Sequence, residues 1–126
     1  MQGVPVSFFN LYRHDFVRLA VCIPQVGLGD PAFNASETVG LAREAADRRA
    51  VIALFPELGL SAYSCEDLFH QQALLAATEA AVARVAAETA DLELLVVVGA
   101  PVAVDGLLYN CAVLMRGGRL VGVVPK

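Results

Sequence analysis

Three short apolar runs, each ended by a proline or a glycine, most constrain the fold of this chain. The runs and the residues that follow them are 18–23 with Pro24, 51–55 with Pro56, and 94–98 with Gly99. Apolar runs of five or six residues with such boundaries are typical of strands that are buried on both faces. Each run is therefore predicted to form a strand in a buried sheet.

The two segments between these runs have the spacing of helices. Asn34 and Glu37 form the pattern of an N-terminal capping box, which predicts a helix of about four turns. Ser64 and Asp67 repeat the pattern before an alanine-rich stretch that ends at Ala90, and this second helix is expected to be the longest. Strands that alternate with helices predict parallel pairing through right-handed crossovers.

After the third run the pattern changes to two β-rich segments, 107–115 and 119–124. The dipeptide Asp105-Gly106 precedes the first segment, and the stretch 116–118, which contains Gly117 and Gly118, separates the two. Dipeptides of this kind form the tight turns of hairpins. The predicted fold class is therefore α/β with a mixed sheet.

Composition and charge exclude several classes of protein. Of the 126 residues, 57% are hydrophobic and 17% are charged, so the chain is not intrinsically disordered. The strongly apolar runs are far shorter than the roughly 20 residues of a membrane span, so no association with a membrane is expected. A net charge of −4 disfavours a nucleic-acid partner. Three widely spaced cysteines favour a reducing, cytoplasmic location, and residues 1–7 are interpreted as a loose leader.

The residues that follow the predicted strands are candidates for a functional site, because sites in open α/β sheets lie at the carboxyl ends of strands. Glu57 follows the second strand, and Lys126, the only lysine, follows the last segment. A carboxylate and an ammonium at one crevice can serve as a base and an electrostatic stabiliser. From spacing alone, two solvated side chains are the simpler interpretation.

Four segments in register resemble the nitrilase, or carbon-nitrogen hydrolase, superfamily. They are FPEL at 55–58 with Tyr63, GAP at 99–101, LYNCA at 108–112 and GVVPK at 122–126. Within that superfamily, residues 55–69 and 108–126 are similar to the glutaminase domain of glutamine-dependent NAD synthetases. The resemblance implies that residues 1–126 are the N-terminal portion of such a domain, an αββα sandwich of two helix-covered sheets. The rest of that domain and the synthetase domain would lie outside these residues.

The resemblance also implies roles for individual residues. Glu57 matches the general base, Lys126 matches the lysine that stabilises the oxyanion, and Tyr63 matches a position that lines the glutamine pocket. The implied reaction converts L-glutamine to glutamate and ammonia. The ammonia would serve a synthetase domain that makes NAD from deamido-NAD with ATP and magnesium, and a homo-oligomer is expected. No cofactor and no metal is expected in the segment itself.

The family's nucleophilic cysteine follows the lysine by several tens of residues, beyond Lys126. Cys22 and Cys111 lie inside predicted strands and are expected to be inert. Cys65 is the rival candidate, because it lies at a predicted helix N-terminus, where the pKa of a thiol falls. In register with the family, however, Cys65 occupies no nucleophile position, so these 126 residues alone are expected to be inactive.

Three alternative functions remain open. Another amidase of the superfamily, of the ω-amidase or carbamoylase type, would share Glu57 and Lys126. A non-catalytic half-domain would act as an interaction module. A flavodoxin-like binding domain is suggested only by the alternating pattern, and the lack of a glycine-rich loop after the first run disfavours it.

Overall fold

A computed structural model describes residues 7–126, which form a five-stranded sheet and two α-helices. The strands lie in the sheet in chain order: β1 (Leu19–Val21), β2 (Ile52–Leu54), β3 (Leu95–Val104), β4 (Leu107–Arg116) and β5 (Arg119–Pro125). The helices are α1 (Pro31–Asp47) and α2 (Gln72–Glu88), with short 3-10 helices at Leu11–His14 and Glu66–His70. The predicted leader lies outside the described residues, except for Ser7.

The mixed sheet is confirmed. β1, β2 and β3 are parallel, and β3, β4 and β5 form two successive antiparallel hairpins. Asp105 and Gly106 have φ of 51° and 76°, and Gly117 and Gly118 have φ of 59° and 79°. Positive φ at both central residues is what a two-residue hairpin turn of type I′ requires. The turn dipeptides therefore close the hairpins that the sequence predicted.

Both helices pack against one face of the sheet. Val96, Val98 and Val113 are each 1% exposed on this face. They form one core cluster with residues of both helices, among them Ala42 and Val85, which are fully buried. The small alanine side chains let the helices lie close to the sheet. Within the described part of the chain, neither helix is long and apolar enough to cross a membrane.

The prediction that the first two apolar runs form strands buried on both faces is wrong, because Leu54 of β2 is 47% exposed and β1 is exposed still further. β1 pairs only with β2 and forms an edge of the sheet. Leu19 and Val21 lie on the face away from the helices and are 59% and 76% exposed. Cys22 follows this strand rather than lying inside it, and its N–H donates to the Leu54 carbonyl. Residues 18–23 are therefore apolar on both faces of β1, although residues 7–126 cover only the face toward the helices.

The predicted helix starts are also corrected. The side chain of Asp30 caps α1 by accepting from the Phe33 N–H, and Pro31 is the first helical residue, so Asn34 lies inside the helix. Asp followed by Pro is the stronger start signal, because the missing proline N–H would be unpaired there in any case. Ser64 precedes the 3-10 helix Glu66–His70 and Asp67 lies within it, so neither residue caps α2. The two α-helices have 17 residues each, so α2 is not the longest.

The third strand does not end at Gly99 but continues to Val104. The carbonyls of Val97 and Gly99 accept from the N–H groups of Phe55 and Leu60, so they point toward the β2 side of β3. By the alternation of a strand, the nitrogen of Pro101 points to the same side. β2 pairs with β3 only as far as Val97, so the missing N–H costs no bond between strands.

Candidate active site

Glu57, Lys126 and Asn110 form a hydrogen-bonded cluster. The Lys126 ammonium donates from Nζ to Glu57 Oε1 at 2.8 Å, and the Asn110 amide donates to the same oxygen. The main-chain N–H of Lys126 donates to the Asn110 carbonyl at 2.8 Å. The structure thus brings the predicted carboxylate and ammonium into contact. Sequence reasoning missed Asn110, although it lies in the LYNCA motif and so could have been considered.

The two charged residues do not follow neighbouring strands of the sheet. Glu57 follows β2 and Lys126 follows β5, and β3 and β4 lie between these strands. Residues 56–62, which we call the base loop, run across β3 and carry Glu57 toward β4. The contact therefore depends on the path of this loop as well as on the strand ends.

Gly99 of β3 allows the base loop to lie directly on the sheet. A Cβ atom at position 99 would be 2.3 Å from the Leu58 nitrogen and 2.5 Å from the Pro56 carbonyl oxygen. The Leu60 N–H donates to the Gly99 carbonyl at 3.1 Å. Only a residue without a side chain permits this approach, so the glycine of the GAP segment has a role inside the strand rather than after it.

Residues before and within α1 hold the far side of the base loop. The Asn34 amide donates to the Leu60 carbonyl at 3.0 Å, and the Gly29 N–H donates to the Ser61 carbonyl at 2.9 Å. Leu58 and Ala62 have φ of 53° and 82°, values that are unfavourable for residues with side chains. Backbone strain of this kind persists only where the surroundings hold it, and it is frequent at functional sites.

The cluster favours the charged forms of both ionisable groups. The hydrogen bond from Lys126, followed by that from Asn110, lowers the pKa of the Glu57 carboxyl. The hydrogen bond to Glu57 and the attraction of its charge raise the pKa of the Lys126 amine. The Glu57 side chain is 42% exposed and that of Lys126 is 73% exposed. Water can therefore reach the pair, and the Glu57 carboxylate is accessible to a substrate.

Tyr63, the third predicted site residue, lies beside this cluster. It is 68% exposed. An open depression of about 510 Å³ is lined by Tyr63, Glu57, Asn110 and Lys126, with Leu58, Ser64, Glu66 and Phe69. Depressions of this size hold small molecules. The structure thus places all three predicted residues around one depression, and the role of Tyr63 in binding stays a prediction.

The three cysteines of the chain have the surroundings of inert thiols. Cys65 is 3% exposed, and its thiol donates to the Ser61 carbonyl at 3.0 Å. It is the N-cap residue of the short 3-10 helix Glu66–His70, whereas α2 begins only at Gln72, so the long helix expected to start at Cys65 does not start there. Burial raises the pKa of the Cys111 thiol, and burial followed by the charge of Glu44 raises that of Cys22. Reactive cysteines have the opposite surroundings.

The residues that the structure describes lack a cluster of side chains suited to bind a metal ion. Between residues 7 and 126, no three His, Cys, Asp or Glu side chains lie together in a way that could hold a metal ion. Glu57 is the single carboxylate of the hydrogen-bonded cluster, and its charge is already paired with Lys126.

Comparison with known proteins identifies relatives of the chain. Residues 18–126 match the carbon-nitrogen hydrolase family. The glutamine-dependent NAD(+) synthetase of Mycobacterium tuberculosis is 45% identical over 121 residues, which are 96% of this chain and 18% of that protein. The chain thus spans less than a fifth of the length of this curated relative.

Two solved structures have the same fold. The glutamine-dependent NAD(+) synthetase of Cytophaga hutchinsonii superposes with a TM-score of 0.78 at 25% identity, over 85% of this chain and 18% of that one. An amidase of the nitrilase superfamily from Nesterenkonia AN1 superposes with a TM-score of 0.75 at 22% identity, over 87% of this chain and 42% of that one. These superpositions confirm the predicted nitrilase-type α/β fold.

Proposed function

Because the chain belongs to the carbon-nitrogen hydrolase family, we propose that it is the N-terminal part of a glutaminase domain, which hydrolyses L-glutamine to glutamate and ammonia. The contact between Lys126 Nζ and Glu57 Oε1 carries this proposal, because it joins the predicted base and oxyanion stabiliser across 69 residues of sequence. The similarity to glutamine-dependent NAD(+) synthetases supports glutamine as the substrate.

The proposed chemistry uses a cysteine thiol supplied from outside these residues. Glu57 takes the thiol proton, and the thiolate attacks the carboxamide carbon of glutamine. The Lys126 ammonium stabilises the negative charge that develops on the carboxamide oxygen. The C–N bond breaks, and the leaving nitrogen takes the proton from Glu57 to give ammonia. Water then attacks the thioester, Glu57 accepts its proton, and glutamate leaves as the thiol is restored.

Substrate binding and the use of ammonia complete the proposed function. Tyr63, which lines the depression beside Glu57, would pack its ring against the aliphatic stem of glutamine. A synthetase domain outside these residues would use the ammonia, with ATP and magnesium, to convert deamido-NAD to NAD. A cytoplasmic homo-oligomer is part of the same proposal.

Substitution of Glu57 by glutamine in the complete protein tests the proposal. Ammonia release from glutamine should fall by about 10³-fold, the scale of general-base catalysis, because the amide cannot take the thiol proton. NAD synthesis from added ammonia should stay unchanged. The matched control is Glu93→Gln, an exposed acid before β3, which should alter neither activity. Equal loss of both activities in Glu57→Gln would show a structural role and contradict the proposal.

Two other functions give different outcomes in the same assays. An ω-amidase or carbamoylase would lose its activity in Glu57→Gln but would prefer amides or carbamoyl compounds over glutamine. A non-catalytic interaction module is favoured by the uncovered apolar face of the sheet, where Val21 and Val124 are 76% and 57% exposed. Such a module would be insensitive to changes at Glu57 and Lys126.

Residues 1–126 alone should show no glutaminase activity above background. Without a nucleophile, only water can attack the amide, and the base and the oxyanion stabiliser are of little use alone because catalytic groups act as a unit. Glutamine hydrolysis by this segment that Cys65→Ser eliminated would instead identify Cys65 as the nucleophile.

A further inference from the structure

The two carboxylate oxygens of Glu57 have different surroundings. Oε1 accepts two hydrogen bonds, one from the Lys126 ammonium and one from the Asn110 amide. Oε2 has no hydrogen-bond partner among residues 7–126. A carboxylate can accept at both oxygens, so the cluster satisfies one oxygen and leaves the other available.

Asn110 contacts both charged residues through different groups. Its side-chain amide donates to Glu57, and its main-chain carbonyl accepts from the main-chain N–H of Lys126. The adjacent Cys111 pairs with Pro125 in the ladder between β4 and β5, so the last residues of β5 run directly beside Asn110. The base loop and the end of β5 therefore meet at one residue of β4.

We infer that Asn110 is a positioning residue that, with Lys126, holds Glu57 by Oε1 and so makes Oε2 the oxygen that exchanges the proton in catalysis. This inference rests on the proposed glutaminase function. The thiol proton passes to Oε2 and returns from Oε2 to the leaving ammonia, so the carboxylate is regenerated without breaking either bond at Oε1. Glu57 then needs no rotation between the two transfers, and a base that stays in place reacts faster.

The charge balance supports the same arrangement. The Asn110 amide stabilises the ionised carboxyl, and it is the second largest cause of the lowered pKa of Glu57. Asn110 thereby keeps the base ionised through a neutral group, which leaves the positive charge of Lys126 able to interact with the substrate oxygen. A lysine in place of Asn110 would compete with Lys126 for the substrate oxygen.

Two substitutions in the complete protein test the inference. Asn110→Ala removes the donor but keeps the main-chain bond to Lys126, and Asn110→Asp keeps the shape but replaces the donor by a negative charge. We expect kcat for glutamine hydrolysis to fall about tenfold in Asn110→Ala and further in Asn110→Asp, with KM for glutamine within about twofold of the original. The acid limb of the kcat/KM profile should move to higher pH, and further in Asn110→Asp, because both changes raise the pKa of Glu57.

The controls separate positioning from general damage. Leu108→Ala removes a side chain on the same face of β4 and should leave the acid limb in place. NAD synthesis from added ammonia reports that the synthetase domain of each variant is intact, and thermal unfolding reports whether the domain that contains β4 is folded. If kcat and the acid limb stay unchanged in both Asn110 variants while Glu57→Gln abolishes glutaminase activity, the inference is wrong and the proposed function stands. If Glu57→Gln remains active on glutamine, the proposed function itself fails.

Discussion

Both faces of the sheet carry apolar side chains, but the two faces differ sharply in burial. On the helix face, Val98 and Val113 are each 1% exposed. On the opposite face, which we call the open face, Leu54 and Val124 are 47% and 57% exposed. The strands thus carry apolar residues on both sides, and the two helices of this chain cover only one of them.

The base loop is the exception on the open face. It crosses β3 at Gly99, with the Leu60 N–H bonded to the Gly99 carbonyl. The candidate active site therefore lies where the chain covers its own open face. The comparison teaches that the helix face determines whether this segment folds, whereas the loop on the open face determines where Glu57 lies.

Gly99→Ala should have the largest effect. The new methyl group would meet the backbone of Pro56 and Leu58, which cannot move without displacing Glu57. We expect a loss of about 3 kcal/mol of stability, as in strained overpacking, and a fall of about 10²-fold in glutamine hydrolysis. Thermal unfolding and ammonia release in the complete protein measure the two effects.

Gly122→Ala is the matched control for this prediction. Gly122 of β5 also lies on the open face, and a Cβ there has no atom within 4 Å. The substitution should be neutral or stabilise by about 0.5 kcal/mol through the unfolded chain. Similar effects at positions 99 and 122 would show that the base loop does not require contact with β3.

A pair of valines compares the two faces directly. In residues 1–126, Val113→Ala on the helix face should cost about 2 kcal/mol, because it leaves a cavity in the core. Val124→Ala on the open face should cost less than about 0.5 kcal/mol, because water already reaches that side chain. Urea unfolding measures both. Equal costs would break the distinction between the faces, and a larger cost of Val124→Ala in the complete protein would show that another segment covers the open face there.

The pH dependence of the charged pair should be the smallest effect, because both side chains are exposed. The lowered pKa of Glu57 stabilises the fold above its ordinary value of 4.5, and this contribution is lost as the pH falls through the folded-state value. The raised pKa of Lys126 contributes below its ordinary value of 10.5 and is lost as the pH rises through its folded-state value. The thermal midpoints of the original protein and Glu57→Gln should therefore differ most between these limits.

Salt distinguishes this contribution from other effects of the substitution. Added sodium chloride should reduce the difference between the two midpoints, since it screens exposed charges. A difference that does not shrink as the pH is lowered progressively below 4.5, or that salt leaves unchanged, would contradict an electrostatic origin.

Much of the fold was predictable because its signals are local. Pro56 ends the second apolar run where β2 ends, and the two turn dipeptides close both hairpins. Glu57 and Lys126 were identified through motifs in register and through their positions after strands. These features depend on neighbouring residues, which a sequence displays directly.

The missed features depend on contacts between distant segments. Pro101 is tolerated within β3 because β2 has already ended beside it, which the sequence of β3 does not reveal. Asn34 looked like a helix cap, yet it is buried and bonds to the Leu60 carbonyl 26 residues away. Asn110 was not identified as a site residue from the sequence, because its contact with Glu57 spans 53 residues. Such roles follow only from the folded arrangement.

The long span of the active-site cluster also has a consequence for the order of folding. Glu57 and its lysine partner are 69 residues apart, whereas the bonds within each helix join residues four apart. Long loops close later than local ones, so the helices and hairpins can form before this contact. During synthesis, Glu57 leaves the ribosome well before Lys126. Its ammonium partner becomes available only when β5 has emerged and paired with β4, which makes this contact one of the last to form in the segment.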